Sequence, residues 1–119
     1  MILGIGIDII ELNRIEKMIN GKLNFIERIL TETERDVAAK LKGKRLVEFV
    51  AGRFAAKEAY SKAVGTGIGK EVSFLDIEIK NDQKGKPVLF TNTEYIVHLS
   101  ISHSREFAVA QVVLESPSC

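Results

Sequence analysis

The chain has 119 residues, 45 % hydrophobic and 28 % charged, with 17 Lys and Arg against 16 Asp and Glu for a net charge of +1. That is enough for one soluble domain, residues 1–119, with a single core. The near-neutral balance excludes the global basic field that non-specific nucleic-acid binding needs.

No run is long enough to cross a bilayer, and Met1-Ile2-Leu3-Gly4 lacks the basic start and long apolar region of an export signal. The one cysteine, Cys119, excludes an intramolecular disulfide and a cysteine-based zinc cluster. A cytoplasmic protein with neither nucleic-acid nor membrane partners is expected.

Residues 2–10 read as a strand rich in β-branched residues. Ile5, Ile7 and Ile9 share one face, and Gly4, Gly6 and Asp8 share the other. A bare backbone face ending in one carboxylate is expected to take a ligand, although an aspartate that only caps the strand end is the plainer alternative. Glu11 to Ile19 is amphipathic, with Leu12, Ile15 and Ile19 inward and Arg14, Lys17 and Met18 outward, and Asn20-Gly21 ends it. Lys22 to Leu30 is a second short apolar segment, containing Leu23, Phe25, Ile26, Ile29 and Leu30. Thr31-Glu32-Thr33-Glu34 has capping-box spacing and opens a helix expected to run to about Lys42.

Leu46 to Val64 is predicted to be the central helix, apolar or small on nearly every face and therefore buried. Two charged stripes interrupt it, Glu58 with Lys62 and Arg53 with Lys57 and Ser61. The glycine termination Gly65-Thr66-Gly67 follows, with a backbone able to approach a phosphate. Leu75, Ile77 and Ile79 then alternate with polar residues as a half-exposed strand, the turn Asn81–Pro87 leads to a return strand at 88–90, and residues 96–103 and 107–115 form a hairpin. The last strand is apolar on both faces, so it needs cover on both sides. The central helix supplies one cover and another subunit the other, which makes a homo-oligomer the expectation. The pattern as a whole gives an α+β fold, an antiparallel sheet packed on a long central helix with additional short helices.

Asp8 and Glu58 are two carboxylates on core elements. Buried acids must be paired or bound to a cation, and an oxygen-only set suits a hard ion such as Mg²⁺ (or Mn²⁺) completed by water and phosphate. Lys44, Arg45, Arg53, Lys57 and Lys62 and the glycine-rich bend at 65–69 supply positive or phosphate-accepting groups, as phosphoryl transfer requires. His103, at a hairpin mouth between Ser102 and Ser104, is a candidate phosphate or base contact, and His98 has no such setting.

The segments Gly4-Ile5-Gly6-Ile7-Asp8-Ile9, Gly52-Arg53-Phe54-Ala55-Ala56-Lys57-Glu58-Ala59-Tyr60-Ser61-Lys62-Ala63 and Ser102-His103-Ser104 occur in that order. Together they resemble the holo-[acyl-carrier-protein] synthases, the small trimeric branch of the phosphopantetheinyl transferases, over essentially the whole chain. The resemblance implies transfer of the phosphopantetheine arm of coenzyme A (CoA) to a serine of apo-acyl carrier protein, releasing adenosine 3′,5′-bisphosphate. Asp8 and Glu58 would hold Mg²⁺ at the CoA pyrophosphate, with Lys62 as the third catalytic group. The base would be Glu58 or a metal-oriented water at Asp8. CoA would meet Lys44, Arg45, Arg53, Lys57, Ser61, Lys62, Gly65, Thr66, Gly67, Lys84, Gly85, Pro87, His103 and Ser104 in sites between the subunits of a homotrimer. The carrier protein would dock on Arg14, Met18, Phe25, Ile26, Arg28, Phe54 and Ile68.

Two features depart from the wider family. Ile10 stands where larger relatives carry a third acid, so a water is expected to replace that ligand. Residues 11–30 hold Arg14, Lys17, Lys22 and Arg28 against Glu11, Glu16 and Glu27, so docking rests on a few placed cations instead of a strongly positive face. A non-catalytic CoA- or nucleotide-binding module is the competing reading. A fragment of an actin-like ATPase is excluded because no Gly-Thr follows Asp8 and the chain is too short.

Overall fold

The computed structural model describes residues 1–21 and 24–118. Lys22 and Leu23, at the start of the second apolar segment, and Cys119 lie outside the described residues. Strand β1 (Ile2–Glu11) is followed by helices α1 (Leu12–Gly21), α2 (Phe25–Ile29), α3 (Glu32–Ala38) and α4 (Gly43–Val64). Strands β2 (Ile77–Asn81), β3 (Pro87–Thr91), β4 (Ile96–His103) and β5 (Phe107–Glu115) complete the chain. The strands form two antiparallel sheets, a three-stranded one in the order β1-β5-β4 and a β2-β3 hairpin.

Helix α4 is the axis of the molecule. Val50, Ala51, Ala55, Ala56 and Ala59 are completely buried in it, because it is covered by the larger sheet and also by α1 and α3. Its low amphipathicity follows from that double cover: a helix buried on most sides along its middle needs no continuous polar stripe. Ala108, Ala110, Val112 and Leu114 of β5 face α4 and are buried.

The glycine face of β1 does not present bare backbone to a ligand, as expected from sequence. It receives α4. A Cβ at Gly6 would overlap the carbonyl oxygen of Ala59, and one at Gly4 that of Ala63. Strand and helix backbones therefore touch, which only glycine allows. Gly6→Ala is expected to cost about 1–3 kcal/mol or more, since the obstacle is backbone and cannot rotate away. Gly21→Ala, with open space around it, is the control, and urea unfolding of the two variants measures the difference.

Other boundaries also differ from the sequence reading. Helix α3 stops at Ala38, and α4 starts at Gly43, three residues before Leu46, so Lys44 and Arg45 lie in its first turn. Leu75 is not part of a strand. Residues Phe74–Asp76 form a 3₁₀ turn closed by a capping box, in which the Asp76 carboxylate accepts from the Ser73 amide at 3.0 Å. Leu75 is exposed there, and strand β2 begins at Ile77. Across the larger sheet, the row Ile5, Ile7 and Ile9 is 61 %, 58 % and 61 % exposed, so one sheet face of the single chain is apolar and open.

Candidate active site

Gly4 lies against Ala63 and Gly6 against Ala59, so β1 runs opposite to α4. Asp8, the next residue on that face, therefore meets the part of α4 that carries Glu58 and Lys62. The Lys62 ammonium donates to Asp8 Oδ1 at 2.9 Å and to the Ile7 carbonyl at 3.2 Å. Lys62 thus pairs across to β1, not along its own helix to Glu58. Glu58 is half-buried. Burial raises its carboxyl pKa, the nearby Asp8 charge raises it further, and Lys62 opposes both. Two like charges held this close form a site that a divalent cation would relieve. Among the described residues no group of three or more His, Cys, Asp or Glu could hold a metal. Two carboxylates with water and phosphate oxygens match the way Mg²⁺ is bound.

Glu58 also lines an apolar cleft of about 260 Å³ together with Met18, Phe25, Arg28, Ile29, Phe54 and Phe74. The Phe54 ring lies 6.4 Å from that of Phe25 and stacks on that of Phe74 at 5.4 Å. The fold brings together four of the expected docking residues here. Ile26 is not among them, because it turns to a separate depression with Arg35, Ala38 and Leu46. Arg14 is exposed on α1, and Ile68 is half-buried beyond α4; neither lines the cleft. Phe74 had no sequence signal, since its place depends on the 3₁₀ turn that puts it over Phe54.

The cations expected to bind CoA are dispersed. Arg45, Arg53 and His103 line one groove of about 360 Å³ with Glu48, Phe49 and Asn81. The Arg53 guanidinium lies 4.3 Å over the Phe49 ring and reaches Asn81 Oδ1 at 3.4 Å, while its Nε is buried without a partner. Burial lowers the Arg53 pKa, with Glu34 opposing. His103 Nδ1 lies 3.5 Å from Glu48 Oε2. Lys44, in contrast, faces a second depression with Glu16 and Arg105. Lys84 and Gly85 lie in the β2–β3 turn, closed by Asp82 Oδ1 accepting from the Lys84 and Lys86 amides, and Pro87 starts β3. The Ser104 hydroxyl oxygen accepts from the Phe107 amide at 3.2 Å in the β4–β5 turn.

Five of the residues expected to meet CoA have polar groups already engaged within the fold. Lys57 is completely buried, and its ammonium donates to Glu34 Oε1 at 2.6 Å and to the Ile29 carbonyl at 2.7 Å. It faces the interior, where both partners are protein groups. Ser61 is equally buried and donates to the Glu58 carbonyl at 2.7 Å. The Gly65 and Gly67 amides both donate to the Ser61 carbonyl, at 3.0 and 3.1 Å, closing the helix end. Both amides thus cap the helix, and the Thr66 hydroxyl between them donates to the Gly67 carbonyl. Glu34 was legible only as the last member of a capping box; its ion pair with Lys57 joins residues 23 positions apart.

Comparison with known proteins shows the family. Residues 4–112 match the family model of the 4′-phosphopantetheinyl transferase superfamily. A holo-[acyl-carrier-protein] synthase of Bacillus cereus is 84 % identical over 118 residues, 99 % of each chain. The crystal structure of a holo-(acyl-carrier-protein) synthase of Bacillus anthracis in complex with CoA (3′,5′-ADP) is 80 % identical, with a TM-score of 0.94 and 98 % of each chain covered. That of Helicobacter pylori holo-[acyl-carrier-protein] synthase in complex with coenzyme A is 40 % identical, with a TM-score of 0.82, covering 93 % of this chain and 99 % of the other. With likeness in both sequence and fold along nearly its whole length, the chain belongs to the 4′-phosphopantetheinyl transferase superfamily.

Proposed function

We propose that the protein transfers the 4′-phosphopantetheine arm of CoA to a serine of apo-acyl carrier protein, releasing adenosine 3′,5′-bisphosphate, and that residues 1–119 act as one catalytic domain. The observation that carries this reading is the meeting of Asp8, from β1, with the part of α4 that bears Glu58 and Lys62, where an apolar cleft opens. Asp8 and Glu58 would hold Mg²⁺, whose charge would neutralise the phosphate oxygens of CoA. Glu58, or a water that the ion would orient at Asp8, would take the serine proton. Lys62, exposed and on a flexible stem, moves its ammonium between Asp8 and the phosphate that carries the developing charge. Met18, Phe25, Phe54 and Arg28 receive the carrier protein beside Glu58.

The groove of Arg45, Arg53 and His103 lies apart from the carboxylates and suits phosphates of a CoA held mainly by a second copy of the chain. The open Ile5, Ile7 and Ile9 row supports such an assembly, read here as a homotrimer. A cytoplasmic location fits the CoA and carrier-protein chemistry. No helix among the described residues is long and apolar enough to cross a membrane.

Incubation with apo-acyl carrier protein, CoA and Mg²⁺, followed by mass spectrometry, tests the reading. The carrier protein is expected to gain the mass of one phosphopantetheine arm. CoA binding without that gain would favour a non-catalytic binding module instead.

A further inference from the structure

The Lys57–Glu34 pair is the one buried ion pair among the described residues. It also ties together more of the chain than a pair needs to. Glu34 Oε1 accepts from Lys57 and from the Thr31 amide at 2.9 Å, and Oε2 accepts from the Ile79 amide at 2.7 Å. Lys57 additionally holds the Ile29 carbonyl, at the C-terminal end of α2. One carboxylate and one ammonium thus join α2, α3, α4 and β2. Burying charge is a poor way to gain stability, since apolar side chains of similar volume serve as well or better. What the charges add is direction, because each hydrogen bond fixes a particular backbone group.

The group most in need of fixing is α2. Five residues make little more than one helical turn, too short to persist without tertiary support. Yet α2 supplies Phe25, Arg28 and Ile29 to the cleft that opens at Glu58. Lys57 and Glu58 are adjacent on α4, so the residue that holds the end of α2 is next in sequence to the residue at the mouth of the cleft.

We propose that Lys57 and Glu34 are positioning residues that set the α2 wall of the cleft against the catalytic helix, and so determine binding of the carrier protein without touching it. The role in carrier binding rests on the function proposed above. The test compares the wild-type protein with the double variant Lys57→Met/Glu34→Gln, which removes both charges so that neither is left buried alone. Lys57→Met alone, which leaves Glu34 buried without its partner, shows how much folding is lost when only one charge is removed. The double variant is expected to keep a cooperative thermal transition and a KM for CoA within about threefold of wild type. Its KM for apo-acyl carrier protein should rise at least about tenfold with kcat changed less than about threefold, a binding loss that lies in the carrier interaction alone. Hydrogen exchange should accelerate at the amides of residues 25–30 relative to those of α4.

Unchanged exchange at residues 25–30 would overturn the positioning role, as would a KM for CoA that rises in step with that for the carrier. Faster exchange with an unchanged carrier KM would overturn the link to docking. A wild-type protein that fails to modify the carrier at all would instead remove the proposed function. The exchange comparison would still decide whether the pair holds α2.

Discussion

Glu58→Gln is expected to lower turnover at least about 100-fold, the scale on which an active site loses one electrostatic contact made to the transition state. The replacement keeps the shape of the side chain and removes the charge that would hold a cation with Asp8. It also removes one of the two candidate bases. The stability of the metal-free protein should move the opposite way. The Glu58 carboxyl is raised by burial first and by Asp8 second, so in the fold it keeps its proton to higher pH than in the unfolded chain. The stability it contributes is complete below the ordinary carboxylate range and is lost as pH rises through the raised value. At neutral pH the ionised side chain is therefore a cost. With chelator present, the Gln variant should melt at or above the wild-type temperature at pH 7, with the difference closing toward pH 4. Added Mg²⁺ should raise the wild-type Tm and leave the variant nearly unmoved. Near-normal turnover in Glu58→Gln would remove both the metal site and the proposed chemistry.

The second large effect is on folding. Lys57→Met leaves the Glu34 carboxylate buried opposite an apolar side chain, and breaking a buried pair from one side costs about 3–5 kcal/mol. Against a typical total of about 5–15 kcal/mol, that brings the protein close to unfolding at moderate temperature. Burial already lowers the Lys57 pKa, and Glu34 is the main influence holding its charge in place. Glu34 cannot turn outward to water without releasing the Thr31 and Ile79 amides. Urea unfolding is the measurement. A loss below about 1 kcal/mol would mean that the ammonium does not occupy the interior at all.

Both results concern neighbouring residues of one helix, and the sequence treats them alike. Lys57 and Glu58 are charged side chains in an apolar run, and a basic group beside a candidate metal ligand is naturally read as a phosphate contact. What separates them is direction. Lys57 points to α2 and α3, and Glu58 points to the cleft. The same limit explains the glycine bend, where Gly65 and Gly67 were legible as a helix stop but not as amides already taken by Ser61. It also explains Ile26, which shares a short apolar segment with Phe25 yet faces another depression.

Local pattern decided a good deal without help. The alternation of β1, the Thr31–Glu34 cap, the buried character of α4 and the β4–β5 hairpin follow from side-chain period and turn chemistry, which act over a few residues. The same local pattern singles out Asp8 and Glu58 as candidates, because an acid among apolar neighbours is conspicuous wherever the chain goes. Which acid each lysine meets was left to the tertiary structure, as was the seating of glycines against a helix and the carriage of Phe74 over Phe54. Those contacts join residues about 20 to 60 positions apart, and the strand and helix periods carry no information on how one element is rotated and seated against another.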